Sequence, residues 1–241
     1  LSKSVKSISN ILKDDFSYMG LFHKIKIFSK SLGHPSKHYN SRWIGSFMPE
    51  EIDKVTSFTD FSKKNLNCNE VLSYIESIID QNESKNEYDL LSIQYQKHFL
   101  SNLICSHTDK ANMHHSIEAR SPFLDHELFD YVNSLPKDFK MNSKYSKLPL
   151  RKYLKENLRS DVYKKAKQGF TVPMANWISK ELKKMMLETI NKDNVKNLEF
   201  LNISYILEKI IKPHLNGDQN NYKKIWNIFV LIRWVNNNIS N

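Results

Sequence analysis

The densest run of chemically capable side chains lies between Asp109 and Glu127, and includes Lys110, Asn112, His114, His115, Ser116, Glu118, Arg120, Asp125 and His126. His114 and Glu118 stand four apart, a spacing that puts two side chains on one helix face, where Asp125 or His126 could add a further metal ligand. There is no H-E-x-x-H, and a His beside an acid is more often a hydrogen-bonded pair, so no metal site is assigned. Glu118 and Arg120 flank a single residue just before Pro122. That alternation predicts an extended turn in which each can satisfy a partner from another helix, a structural ion pair being the plainer reading.

A second place for chemistry is electrostatic. The chain carries 31 Lys, five Arg and a formal charge of +10, but the charge is unevenly spread. Residues 1–40 are basic and residues 41–136 acidic; residues 137–184 hold fourteen basic and four acidic groups, and residues 185–241 are nearly balanced. A patch of that kind concentrates an anion without naming it. Lysine lacks the planar fork with which Arg reads phosphates and bases, which argues against nucleic acid. Within the basic segment, Lys164 to Asn176 contains Gly169 and Pro173 and reads as a loop. The five glycines are isolated, so no G-x-G-x-x-G and no G-x-x-x-x-G-K-[ST] is present to cradle a phosphate.

The elements that must position these groups read as helices almost throughout. Val5, Ile8 and Leu12, then Leu21, Ile25 and Phe28, have helical spacing. Gly33 to Asn40 reads as a loop, and Pro49-Glu50-Glu51 as a helix start with acids in its first turn. Leu90, Ile93, Lys97 and Leu100 lie on a strongly apolar helix. Asp125 is a candidate N-cap for a helix bearing Leu128, Phe129, Val132 and Leu135 and stopped by Pro136. Ser146 to Leu158 predicts another helix, with Leu150, Tyr153, Leu154 and Leu158 turned inward. Further helices are expected to begin near Trp177 and at Ile203, the second running up to Pro213. Tyr222 to Ile239 is apolar on most faces, as at the centre of a bundle. Strand alternation is nearly absent, so the expectation is a mainly α chain forming one compact domain. Cys68 and Cys105 form no C-x-x-C, as in a reducing cytoplasmic setting. The longest uninterrupted apolar stretch, Ile228 to Ile232, is too short to cross a bilayer.

Asp109-Lys110, Met113, then Ser116-Ile117-Glu118-Ala119-Arg120-Ser121-Pro122-Phe123-Leu124-Asp125 resembles the D-[RK]-x-x-M…S-x-E-x-R-x-P-F-L-D signature of the glutamine-dependent asparagine synthetases. A second block, Ser134-Leu135-Pro136, Lys140, Lys147, Leu150-Arg151, then Lys165-Ala166-Lys167-Gln168-Gly169-Phe170-Thr171-Val172-Pro173 and Trp177, is similar to that family's S-L-P…K…L-R…K-x-G-F-x-x-P…W pattern. The similarity runs clearly from about residue 90 to residue 240.

The resemblance implies that these 241 residues are the helical C-terminal portion of an α/β, ATP-pyrophosphatase-like synthetase domain whose sheet core lies mostly upstream. It also implies ATP and Mg2+ as cofactors, bound mostly by upstream residues, and aspartate or another carboxylate as substrate. The partners implied are the upstream nucleotide-binding half, an N-terminal glutaminase domain and, for a homodimer, a second copy. On the same ground Lys167 is the catalytic candidate, reaching the nucleotide phosphates, with Gly169 and Phe170 supporting its loop. Asp109, Lys110, Glu118, Arg120 and Asp125 are expected to hold or pack the surrounding loops. The chain alone is expected to be inactive. Two other readings stand beside this: a truncated, non-catalytic relative acting as a helical interaction module, and an anion- or nucleic-acid-binding helical module.

Overall fold

The computed structural model describes residues 14, 16, 20–34, 39–57, 68–82, 86–163, 172–191, 195 and 198–239. The elements are α1 (Leu21–Ser31), α2 (Tyr39–Ile44), α3 (Pro49–Val55), α4 (Cys68–Asp80) and α5 (Glu87–Gln94), which runs through a π-helical stretch, Tyr95–Cys105, into α6 (Ser106–Met113). There follow a single 3-10 turn (Pro122–Leu124), α7 (His126–Ser134), α8 (Lys137–Lys140), α9 (Leu148–Asn157), α10 (Ser160–Tyr163), α11 (Met174–Ser179) and α12 (Lys183–Thr189). Then α13 (Ile203–Tyr205) passes through a second π-helical stretch, Ile206–Ile211, into α14 (Lys212–Leu215), and α15 (Tyr222–Asn238) closes the order. Among the described residues the only β pairings are the isolated bridges Thr56–Leu201 and Met141–Ser146. The protein is mainly helical, as its periodicity predicts. No helix among the described residues is long and apolar enough to cross a membrane.

Backbone packing divides the chain into two compact units where the sequence leads to one. The first comprises residues 1–74 and 170–241, the second residues 75–169. The first unit owns the large core. Ile178, Ile190, Ile206, Ile225 and Ile232 are almost wholly buried, and Val55, Met186, Leu198, Ile210 and Phe229 join them in one cluster. This core draws on α3, α11, α12, the second π-helical stretch and α15, so side chains far apart in sequence share it. The N-terminal segment is tied to the far end of the chain: Asp14 accepts the Asn220 N–H at 2.7 Å, and its other oxygen pairs with Lys26 at 2.9 Å.

The second unit is built differently. Ile75, Ile78 and Ile79 on α4 are buried, but no residue from Tyr95 to Val162 is. Helix formation there does not rest on burying an apolar stripe. Asn86 caps α5 by accepting the Asp89 N–H at 3.0 Å, and Pro122 and Pro149 occupy early turn positions where a missing N–H costs nothing.

Several expectations change. The helix through Leu90 and Leu100 forms, but Leu91, Tyr95, Leu103 and Ile104 remain exposed. Tyr153 and Leu158, expected inward, face solvent. The loop ending at Asn176 stops earlier, since α11 begins at Met174; the chain then breaks at Lys180, so Trp177 lies in α11 and Met185 in α12. Helix does not stop at Pro213 but continues to Leu215, because Pro213 falls in the opening positions of α14, just after the π-helical turn. Tyr39 to Ile44 is helical where the sequence suggests a loop through Asn40. The helix α4 escaped the sequence reading altogether, although Val71, Ile75, Ile78 and Ile79 have the right spacing. Finally, α15 buries Ile225, Ile228, Phe229, Ile232 and Val235 but leaves Trp226, Val230, Leu231 and Trp234 exposed, so it packs on one side rather than at the centre of a bundle.

Candidate functional site

The segment from Asp109 to Asp125 is shaped mainly by backbone hydrogen bonds. Helix α6 carries Asp109 and Lys110 and ends in a turn where the Ser116 N–H donates to Met113 O at 2.9 Å and the Ile117 N–H to Asn112 O at 3.1 Å. This is the reciprocal bonding of a Schellman motif, whose pivot needs a left-handed residue; Ser116 supplies it at φ 58° where glycine is usual. Asn112 adds a bond from its side-chain amide to Thr108 O at 2.8 Å.

Beyond the pivot the chain extends, and side chains two apart fall on one side. Arg120 Nε and Glu118 Oε1 consequently meet at 2.7 Å, with their side chains 85% and 67% exposed. The two satisfy one another rather than partners on another helix. The chain then tightens into the Pro122–Leu124 turn, and Asp125 stands at the N-cap of α7, its Oδ1 accepting the Leu128 N–H at 3.1 Å. That cap is where the sequence pattern puts it. The side chains of Asp109 and Lys110 form no hydrogen bond or ion pair among the described residues, although Lys110 O accepts the His114 N–H at 3.1 Å. The rings of His114 and His115 meet edge to face, centroids 5.1 Å apart. No group of three or more His, Cys, Asp or Glu side chains among the described residues could hold a metal ion.

The basic segment is partly ordered by its own cations. Lys140 donates to Asn133 O at 3.2 Å and lies over the Tyr88 ring, while Arg151 donates to Ser146 O at 2.9 Å and shares the Tyr145 ring with Lys144. Lys147 precedes α9 in a left-handed conformation, φ 59°. The predicted phosphate-loop residues Lys167, Gly169 and Phe170 lie outside the described residues.

The first unit holds a polar cluster that the sequence reading passed over. His214 is fully buried; its Nδ1 accepts the Asn221 N–H at 3.3 Å, and its Nε2–H points at Ala175 O at 3.2 Å and at Ser179 Oγ at 3.3 Å. Phe16 stacks on the ring at 5.1 Å. Burial lowers the imidazole pKa below its ordinary value, partly offset by bonds to the backbone of Gln219 and Ala175. A neutral ring with one donor and one acceptor side fits this setting. Pro213 and Gly217, the latter at φ 80°, bracket the tight return that buries it, and were the signal available in the sequence. Nearby, Lys224 on α15 contacts Glu51 on α3 across the same unit, and burial lowers the pKa of the neighbouring Lys223.

Comparison with known proteins joins these local features. The asparagine synthase family model matches residues 17–236, which span parts of both units. A glutamine-hydrolysing asparagine synthetase of Bacillus subtilis is 27% identical over 159 residues, 65% of this chain and 25% of that protein. The amidase chry2 of Gibberella zeae is 32% identical over 156 residues, 60% of this chain and 23% of that one. A putative glutamine-hydrolysing asparagine synthetase of Mycobacterium bovis is 28% identical over 127 residues, 52% of this chain and 19% of that one. The chain thus spans about a quarter or less of the length of the curated relatives it matches. No solved structure matches. With most of its length covered by one family model and both sequence blocks inside the match, the chain belongs to the asparagine synthase family.

Proposed function

We propose that this chain is the C-terminal part of the synthetase domain of an ATP-dependent amidotransferase. In the proposed reaction the carboxylate of aspartate, or of a related acceptor, is activated as an acyl-adenylate and then attacked by ammonia released from glutamine. The observation that carries the reading is the match over residues 17–236, within which both ordered sequence blocks fall. An N-terminal glutaminase domain and an upstream nucleotide-binding half, with its sheet core, complete the proposed enzyme, and the chain alone is inactive.

The described residues do not by themselves fit Mg2+ or ATP. They contain no cluster able to hold a metal, and the sequence has no glycine-rich phosphate loop. Upstream residues are therefore given both ligands, and this chain one contribution, the ammonium of Lys167. Adenylation builds negative charge on the transferred phosphorus and on departing pyrophosphate, and a loop-borne cation stabilises both. In this proposal Gly169 and Phe170 support the Lys167 loop, as the family motif implies. The Schellman turn, the Glu118–Arg120 pair and the Asp125 cap hold the surface segment between α6 and α7 in shape.

The open second unit supports a partner. Phe123, Tyr131, Phe139 and Tyr153 are each more than 60% exposed, which suits a surface made to be covered by the upstream half. The same exposure favours the second reading, a non-catalytic helical interaction module. ATP–pyrophosphate exchange driven by aspartate separates the two. The full-length protein is expected to exchange, Lys167→Ala to lose about two to three orders of magnitude, and the 241 residues alone to show none. Unchanged exchange in Lys167→Ala removes that residue from the chemistry, and exchange by the 241 residues alone overturns the need for an upstream half.

A further inference from the structure

Helix α15 turns one side to the core, through Ile225, Ile228, Phe229, Ile232 and Val235, and the opposite side outward. The outward side carries a shallow groove lined by Trp226, Asn227, Val230, Leu231 and Trp234, all of them exposed. Helix propensity does not account for this choice, since Trp, Val and Asn rank below Lys, Glu and Gln as helix formers on a solvated face. Nor are the outward groups loosely held. The Trp226 ring lies 5.7 Å from the Phe229 ring, and the Arg233 guanidinium stands 6.0 Å over that same ring, so both rest on a core side chain. Apolar area that is contiguous, exposed and ordered in advance marks a surface that another molecule covers.

The order of side chains along that face selects the cover. Counted from Val230, Trp226 and Trp234 stand four before and four after, Asn227 and Arg233 three before and three after, and Lys223 and Asn237 seven before and seven after. These are the steps that keep side chains on one side of a helix. The face therefore reads much the same from either end, which is what an isologous two-fold contact uses. Set antiparallel about Val230, Trp226 meets the partner's Trp234, and Arg233 donates to the amide oxygen of the partner's Asn227. Lys223 then reaches the last turn of the partner's helix, where unpaired carbonyls carry partial negative charge. No cation opposes a cation. A parallel two-fold pair would instead set Lys223 against the partner's Lys223 and Arg233 against the partner's Arg233, and α15 contains no acid to separate them. We infer that the outward face of α15 binds a second copy of this chain, helix against helix, antiparallel and centred on Val230. A contact made by one helix face falls short of the roughly 800 Å² per partner of a standard interface, so the expected Kd is micromolar. The inference concerns the first unit alone and does not depend on the proposed amidotransferase reaction.

Sedimentation equilibrium from low to high micromolar concentration should show the intact chain passing from monomer to dimer. Trp234→Glu should raise the Kd at least about 30-fold, the loss of one central aromatic contact. Trp234 is 56% exposed, so the thermal midpoint of that variant at low concentration should match the parent. Cross-linking reads the orientation, and serves independently should Trp234→Glu misfold. In a background of Cys68→Ser and Cys105→Ser, Val230→Cys lies on the two-fold axis and should join to its own copy through a short thiol cross-linker. Lys223→Cys or Asn237→Cys alone should not, since the helical rise sets each about 21 Å from its counterpart, whereas the double variant should join. The same variants are read in the full-length protein. A monomer at every concentration, or a dimer indifferent to Trp234→Glu and so made by another surface, would overturn the proposal. So would self-joining of Lys223→Cys, or no joining of Val230→Cys in the full-length protein, where the upstream half would then be the cover.

Discussion

Ser116 and Asp125 make the same segment in opposite ways, one through strain and one through a favourable bond. A non-glycine residue at φ 58° carries a steric cost that glycine does not, so Ser116→Gly is expected to stabilise the chain by about 1 kcal/mol. Asp125→Ala deletes the bond to the Leu128 N–H and is expected to cost ~1 kcal/mol. Urea denaturation of the two variants side by side checks both signs. A destabilised Ser116→Gly would mean that the serine hydroxyl matters more than the backbone geometry. At this scale the sequence was readable where a side chain bonds close to itself along the chain. Asp125 is legible because a cap is local, and the Glu118–Arg120 pair because alternation in an extended segment is local. His214 was illegible because a buried histidine depends on Ala175, Ser179 and Phe16, none of them near it in sequence.

Between elements, His214 joins α14 to α11 and to the residue preceding α15. Its folded pKa lies below the ordinary value of 6.5, so the unfolded chain binds the proton more readily. Stability from this group is therefore fully present above pH 6.5 and is lost as pH falls from there through the lowered folded pKa. Urea midpoints measured from pH 8 to pH 5 should be flat on the alkaline side and decline on the acid side. In His214→Gln, which is less stable throughout, that part of the acid decline should vanish. Helix type was legible from apolar spacing, as in α7, α9 and α15. Helix surroundings were not, because periodicity counts apolar residues without saying whether another element covers them. Trp226 and Trp234 on α15 and Tyr153 on α9 illustrate this directly.

Across the whole molecule the contrast is between a unit with a shared isoleucine-rich core and a unit whose stretch from Tyr95 to Val162 buries no residue. Local stability follows buried contact, so backbone amides of α7 and α9 should exchange with solvent at least about 100-fold faster than those of α15. Hydrogen exchange read by mass spectrometry resolves the segments. In the full-length protein the proposal requires α7 and α9 to become protected, and equal exchange in both contexts would count against a covering upstream half. The mainly α character was legible because helical spacing recurs along nearly the whole sequence. The division into two units was not, since residues 1–74 join 170–241 through contacts such as Asp14 with Asn220, which no local pattern announces. The π-helical stretch from Ile206 to Ile211 carries a last consequence. Widening a helix there absorbs extra residues per turn, and one residue corresponds to a rotation of about 100° in an ordinary α-helix. The stretch therefore sets the phase at which His214 meets Ala175 and Asn221. Aligned against a relative with an unbroken α-helix, it would read as a one-residue insertion, and that relative would have to seat a different side chain in the same buried slot.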